Sequence, residues 1–197
     1  PGEMQGVPHH LIDVLEPEED CSVARFQKLA KAAMEDIWSR GHIPILTGGT
    51  GFYIQALLYD IDFTENEENT ELRSKLEALA AAEGPEKFHA RLAEVDPKSA
   101  KEIHANNVKR VIRALEYYEL TGERISEHNE EQREKESPYN FAYFVLNDDR
   151  TNLYDRIDAR VDEMMKDGLA EEVKSLKNEG CRRGMVSMQG LGYKEIL

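Results

Sequence analysis

The sequence predicts an α/β protein, a parallel sheet core interrupted by a helical insertion, and three features carry that prediction. The run Ile43-Pro44-Ile45-Leu46-Thr47 is short, apolar and closed by Gly48-Gly49, the pattern of a buried parallel strand whose carboxyl end opens into a loop. From Thr70 no strand-like alternation returns before Phe141, and helical spacing fills the interval. Phe141-Ala142-Tyr143-Phe144-Val145-Leu146 then reads as a second buried strand. The expected boundaries are an α/β core over 1–62, a helical insertion over 63–137 and the continued core over 138–197.

Each element has its own signal. Ser22 suits the N-cap of a helix carrying Phe26, Leu29, Ala30, Ala33, Met34 and Ile37 on one face, and Gly41 closes it. After the first strand, Gly51 to about Leu58 reads as helix, and an acidic break follows. Leu72, Leu76 and Leu79 mark the next helix and Gly84-Pro85 ends it; Phe88, Leu92 and Val95 mark another, and Asp96-Pro97 starts a third. Asn107 is the expected cap of a fourth, with Val108, Val111, Ile112, Leu115 and Tyr118 on one side and Gly122 at its end. Ser137-Pro138 closes the insertion. Two more helices follow the second strand, marked by Leu153, Ile157, Val161 and Met164 and then by Leu169, Val173 and Leu176.

Composition excludes some classes. The chain has 197 residues, enough for one good core or a core plus a small inserted domain, and its 40% hydrophobic and 32% charged content is ordinary globular usage. It has no run of 18 apolar residues and no signal-peptide pattern, so neither a membrane span nor export is supported. Cys21 and Cys181 fit no zinc spacing, and a reduced, cytoplasmic setting is the expectation. A net charge of −14 argues against nucleic acid, because phosphate repels an acidic surface. The acid is concentrated, however, at Asp62, Glu65, Glu67, Glu68 and Glu71 and at Glu127, Glu130, Glu131, Glu134 and Glu136. Basic residues group elsewhere: Lys109, Arg110 and Arg113; Arg150, Arg156 and Arg160; Arg182 and Arg183.

Several residues could carry chemistry. Gly48 and Gly49 let a backbone approach a ligand, and Thr50 adds a hydroxyl where free N–H groups at a helix start favour anions; from the spacing alone, an ordinary strand-to-helix turn is the favoured reading. Lys109, Arg110 and Arg113 share one helix side away from the apolar face, either an anion-binding patch or a solvated face paired with Glu116 or Glu119. Arg156 and Arg160, four apart on one helix face, suit a phosphate or nearby carboxylates such as Asp155 and Asp158, and internal ion pairs are the favoured reading. His9 and His10 lack a third ligand at metal spacing and read as a packed loop or strand edge, and Asp13 and Asp20 have the same status.

Five strings in order then carry a resemblance: Gly6-Val7-Pro8-His9-His10-Leu11-Ile12-Asp13-Val14, the Ile43 to Tyr53 segment, Asn107-Val108-Lys109-Arg110-Val111-Ile112-Arg113-Ala114-Leu115-Glu116, Leu153-Tyr154-Asp155-Arg156-Ile157-Asp158-Ala159-Arg160-Val161, and Gln189-Gly190-Leu191-Gly192-Tyr193-Lys194-Glu195. With these the chain resembles, essentially end to end, the bacterial tRNA dimethylallyltransferases, also called tRNA isopentenyltransferases. That family starts with a P-loop and an Asp-Ser-x-Gln segment and ends in a basic, aromatic stretch. None of these occurs in this sequence, so the resemblance implies an interior part of a longer protein.

The resemblance further implies a P-loop NTPase-like core and transfer of a dimethylallyl group from dimethylallyl diphosphate to N6 of the adenine 3′ of the tRNA anticodon. It places Thr50 beside the substrate adenine and assigns Arg73 and the Lys109, Arg110, Val111, Ile112, Arg113 segment to tRNA contact, with Gly48, Gly49 and Thr50 as an active-site loop. It implies Mg²⁺ held by residues outside this chain, an anticodon stem-loop and dimethylallyl diphosphate as partners, no membrane, a monomer, and no catalytic residue within the chain. An enzyme prenylating free adenine nucleotides is an alternative that the helical insertion argues against. A non-catalytic acidic helical binding module is another, against which the strand-Gly-Gly-Thr-Gly unit stands.

Overall fold

A computed structural model describes residues 4–63 and 70–197. The acidic positions Glu65, Glu67 and Glu68 therefore lie outside the described residues. Ten α-helices are assigned among the described residues: α1 (Val23–Ser39), α2 (Gly51–Leu58), α3 (Thr70–Glu83), α4 (Pro85–Val95), α5 (Pro97–Glu102), α6 (Val108–Thr121), α7 (Ile125–Glu134), α8 (Arg150–Lys166), α9 (Leu169–Asn178) and α10 (Tyr193–Ile196). They fall into two compact units, Leu58–Pro138 and Pro1–Leu57 with Tyr139–Leu197.

The elements described in the unit Leu58–Pro138 are all helices, α3 to α7. Leu76 and Ala80 of α3, Phe88 and Leu92 of α4, Ile103, and Val111, Ile112, Ala114 and Leu115 of α6 form one apolar cluster. Phe88 and Leu92 are fully enclosed, which stabilises by about 1.5–3 kcal/mol for each such side chain. Turn chemistry sets the corners. Gly84 takes a left-handed φ of 80° immediately before Pro85 at the start of α4. Gly122, at φ 75°, ends α6 with its N–H donated to the Tyr118 carbonyl at 2.8 Å. Asn107 occupies the N-cap position of α6, but its side chain makes no capping hydrogen bond.

Asp96, only 1% exposed, ties α5 to the start of α7. Its carboxylate accepts the Ser99 N–H (3.0 Å) and hydroxyl (2.7 Å), capping α5, and the Ser126 N–H (3.0 Å) and hydroxyl (2.8 Å), which fixes the start of α7. Burial pushes this carboxyl up, yet the Ser99 and Ser126 hydrogen bonds together outweigh it and hold the group below the ordinary aspartate value. From α7 and the turn after it, side chains reach back to the chain entering the unit. Gln132 accepts the Asp62 N–H at 2.8 Å, the His128 ring meets the Asp62 carbonyl at 3.1 Å, Lys135 donates to the Asp60 carbonyl at 3.2 Å and Ser137 to that of Leu58 at 2.5 Å. Entry and exit of the unit thus run side by side.

In the other unit the Ser22 hydroxyl accepts the Arg25 N–H at 3.2 Å and caps α1, and Gly41 follows its end at φ 75°. Gln27 donates to the Ala56 carbonyl of α2 at 2.7 Å, Tyr53 donates to the Cys21 carbonyl at 2.8 Å, and the Phe26 and Tyr53 rings lie 5.0 Å apart. Leu169, Val173, Cys181 and Met188 supply buried positions around α9. Gly192, at φ 93°, is needed there, because a Cβ would stand 2.9 Å from Leu169 Cδ2.

The expected sheet is absent from the described residues. Neither Ile43–Thr47 nor Phe141–Leu146 is assigned as strand, and Ile45 is 86% and Leu146 97% exposed. The physical reason is that a strand's hydrogen bonds are made with another segment, and no partnering strand is present among the described residues. An apolar run can signal a strand without bringing its neighbour.

Candidate nucleic-acid interface and active-site loop

The two groups of residues singled out by sequence lie in different units. In the first, Thr47 to Gly49 lead into α2, and Thr50 precedes its first residue; the Thr50 carbonyl accepts the Tyr53 N–H at 3.0 Å and the Ile54 N–H at 3.3 Å. Gly48, Gly49 and Thr50 are all exposed. The Thr50 hydroxyl has no hydrogen-bond partner among the described residues. A Cβ added at Gly48, Gly49 or Gly51 would meet no atom within 4 Å, and none of the three has a positive φ. Crowding within the described chain does not call for glycine at these positions.

The second group sits on α6, whose amphipathic pattern buries Val111, Ile112, Ala114 and Leu115 against α3 and α4. Within the expected contact segment the Val111 and Ile112 side chains are buried in the core, whereas Lys109, Arg110 and Arg113 are exposed. Lys109 and Arg110 are exposed and have no ion-pair partner among the described residues. Arg113 donates from Nη1 to Glu116 Oε2 at 3.3 Å, so of the two acidic partners considered, the structure selects Glu116. Arg73 is half-buried on α3, the helix packed against α6.

Other expectations are revised. His9 and His10 are exposed rather than packed, and the His9 ring Nδ1 meets the Val7 carbonyl at 2.8 Å. Arg156 pairs with Asp148 at 3.5 Å rather than with Asp155 or Asp158. Asp148 sits before α8, where the Asn152 amide, the Asp149 N–H and Arg156 hold its carboxyl below the ordinary value. Among the described residues no group of three His, Cys, Asp or Glu side chains is placed to hold a metal ion. No helix among them is long and apolar enough to cross a membrane. Glu116 and Asp96, both buried, are the polar residues whose importance spacing alone did not reveal.

α6 thus presents exposed Lys109, Arg110 and Arg113, and an exposed glycine-containing loop precedes α2. The IPP transferase family matches the chain over residues 1–197, and the chain belongs to that family. It is 58% identical over 196 residues to a tRNA dimethylallyltransferase of Lachnoclostridium phytofermentans, covering 100% of this chain and 63% of the relative. It is 50% identical to one of Bacillus cytotoxicus, covering 98% and 61%. Among solved structures it resembles the full-length tRNA isopentenylpyrophosphate transferase from Bacillus halodurans, with 42% identity, TM-score 0.62, and 99% of this chain against 59% of that one. A eukaryotic dimethylallyltransferase captured acting on tRNA superimposes with TM-score 0.79 at 29% identity, over 98% of this chain and 50% of that one. The chain thus spans about three-fifths of the length of the curated relatives it matches.

Proposed function

We propose that the complete protein transfers a dimethylallyl group from dimethylallyl diphosphate to N6 of the adenine 3′ of a tRNA anticodon, and that this chain supplies tRNA positioning and one wall of the site. The observation that carries this reading is the cationic face of α6, where Lys109 and Arg110 stand without acidic partners among the described residues beside Arg113, in a chain of net charge −14. Such a face attracts phosphate although the molecule as a whole is acidic. A base in a stacked anticodon has to leave the stack before its exocyclic amine is alkylated. In this reading the α6 cations, with Arg73, hold the RNA backbone while Gly48, Gly49 and Thr50 line the pocket that receives the base.

The same reading makes Ile43–Thr47 and Phe141–Leu146 strands of a P-loop NTPase-like sheet in the complete, cytoplasmic and monomeric protein. The diphosphate-binding groups and any Mg²⁺ ligands then lie outside this chain. The similarity to enzymes named tRNA dimethylallyltransferase at 58% and 50% identity supports it.

The test is the double variant Lys109→Ala/Arg110→Ala in the complete protein. Each lost phosphate contact should flatten the salt dependence of tRNA binding by roughly one unit, so the slope falls by about two while the KM for dimethylallyl diphosphate stays put. Unchanged tRNA affinity and slope would refute the reading, and a raised diphosphate KM would reassign the face to the other substrate. Thr50→Ala should slow transfer by up to about tenfold, the value of one hydrogen bond, without lowering Tm.

A further inference from the structure

The geometry assigns to Glu116 the role of a positioning residue: its buried carboxylate holds the Arg113 guanidinium at the surface of α6, ready for a nucleic-acid phosphate. This rests on the tRNA reading of the cationic face. Glu116 is 2% exposed, flanked on α6 by the buried Leu115 and Tyr117 and one turn from the buried Ile112. An apolar residue would fill such a place at less cost, since a buried carboxylate is unfavourable unless paired. Its partner among the described residues is Arg113, whose Nη1 reaches Oε2 at 3.3 Å while the Arg113 side chain stays 44% exposed.

The way the pair is made matters. Arg91 closes on Glu83 through two hydrogen bonds, Nε at 2.9 Å and Nη2 at 2.5 Å, a fork-on-carboxylate contact that uses one whole edge of the guanidinium. Arg113 gives Glu116 a single contact. Four of its five N–H donors are left over, in a fixed plane suited to bidentate phosphate contact. Lys109 and Arg110 have no such tether and must be ordered when RNA binds, whereas Arg113 is ordered beforehand and loses less freedom on binding.

The experiment uses the complete protein, an unmodified anticodon stem-loop RNA as probe, and the variants Arg113→Ala, Glu116→Gln and their double. Glu116→Gln keeps shape and an acceptor but loses the charge-assisted bond, and is expected to weaken RNA binding about fivefold and to lower its salt slope by roughly one unit. Arg113→Ala added to it should then cost little more. Glu116→Met, which fills the same space without charge, should weaken RNA binding to the same degree with Tm kept or raised, because the half-exposed Arg113 rehydrates and no charge is stranded. A merely structural Glu116 would move Tm and leave the salt slope alone.

Removing the carboxylate also removes a negative charge from near the phosphate, which alone would tighten binding. A tighter or unchanged complex for Glu116→Gln, or additive losses in the double variant, overturns the proposal. If Arg113→Ala itself leaves RNA affinity unchanged, the tRNA reading of this face fails first and the positioning role falls with it.

Discussion

The two units of this chain treat apolar side chains in opposite ways. In Leu58–Pro138 the helices turn Phe88, Leu92, Val111 and Leu115 inward and close on them. In the other unit Ile43, Ile45, Phe144, Val145 and Leu146 are exposed, and α8 buries none of its residues although Leu153, Ile157 and Val161 recur at helical spacing. The difference follows from where each element finds its hydrogen bonds. A helix satisfies its backbone internally and needs only an apolar face to dock, so five helices with matched faces make a core among themselves. A strand is completed by another strand, and the apolar runs of the second unit lack that partner among the described residues.

This comparison can be broken at its strongest point first. Phe88→Ala should destabilise the helical unit by about 4 kcal/mol, since an enclosed aromatic leaves both a transfer loss and a cavity. The loss should appear as a lower midpoint in urea followed by circular dichroism. A change under 1 kcal/mol would mean that the cluster around α4 and α6 is not the centre of stability.

Asp96→Ala should cost somewhat less, about 3 kcal/mol, by leaving the Ser99 and Ser126 donors without their shared acceptor. The acid limb reports the same group. Its native pKa lies below the ordinary value of 3.8, so its stabilisation is complete above that value and is lost as pH falls through the lower, native one. A urea midpoint measured against pH should therefore fall less steeply on acidification in Asp96→Ala than in the parent, and parallel curves would remove Asp96 from the account.

The opposite outcome is expected in the other unit. Ile45→Ala in this 197-residue chain should shift stability by no more than about 0.5 kcal/mol, because the side chain is already in water. In the complete protein the same change should cost about 2 kcal/mol or more if the run is a buried strand as proposed. Equal effects in the two contexts would dissolve the distinction between the units.

The smallest effect is a titration. Tyr193 donates to Glu172 Oε1 at 2.5 Å, and this bond, then burial and the carboxylate charge, push the phenol up to about 12. A folded pKa above the ordinary 10.0 means that the contribution is fully present below pH 10 and disappears as pH rises towards 12. Absorbance at alkaline pH should show Tyr193 titrating late, alongside Tyr53, which burial also pushes up, and Glu172→Gln should bring Tyr193 back towards the ordinary value.

How far the sequence reaches can be seen at particular residues. Ser22, Gly41, Gly84-Pro85, Asp96-Pro97 and Gly122 each mark a helix boundary in the sequence, and each stands at one in the structure, because caps and left-handed turns are decided within a few neighbouring residues. Periodicity likewise separated the buried Val111, Ile112 and Leu115 of α6 from the exposed Lys109, Arg110 and Arg113. The helical interval expected over 63–137 stands beside a compact unit running Leu58–Pro138, whose limits are drawn by the bonds of Lys135 and Ser137 to the entering chain.

What spacing could not reach were the pairings made across distance. The second pair of bonds to Asp96 comes from Ser126, thirty positions away; Arg156 turned to Asp148 instead of its nearer carboxylates; the choice of Glu116 over Glu119 for Arg113 depended on which of the two the core enclosed. By itself the sequence determined where helices start, stop and turn their apolar faces, and through its motifs which family the chain belongs to, because these are set by local backbone chemistry and by residue identity. Only the tertiary structure decided which polar groups are buried and whom they bind, because a side chain's partner and its distance from water are properties of what folds against it.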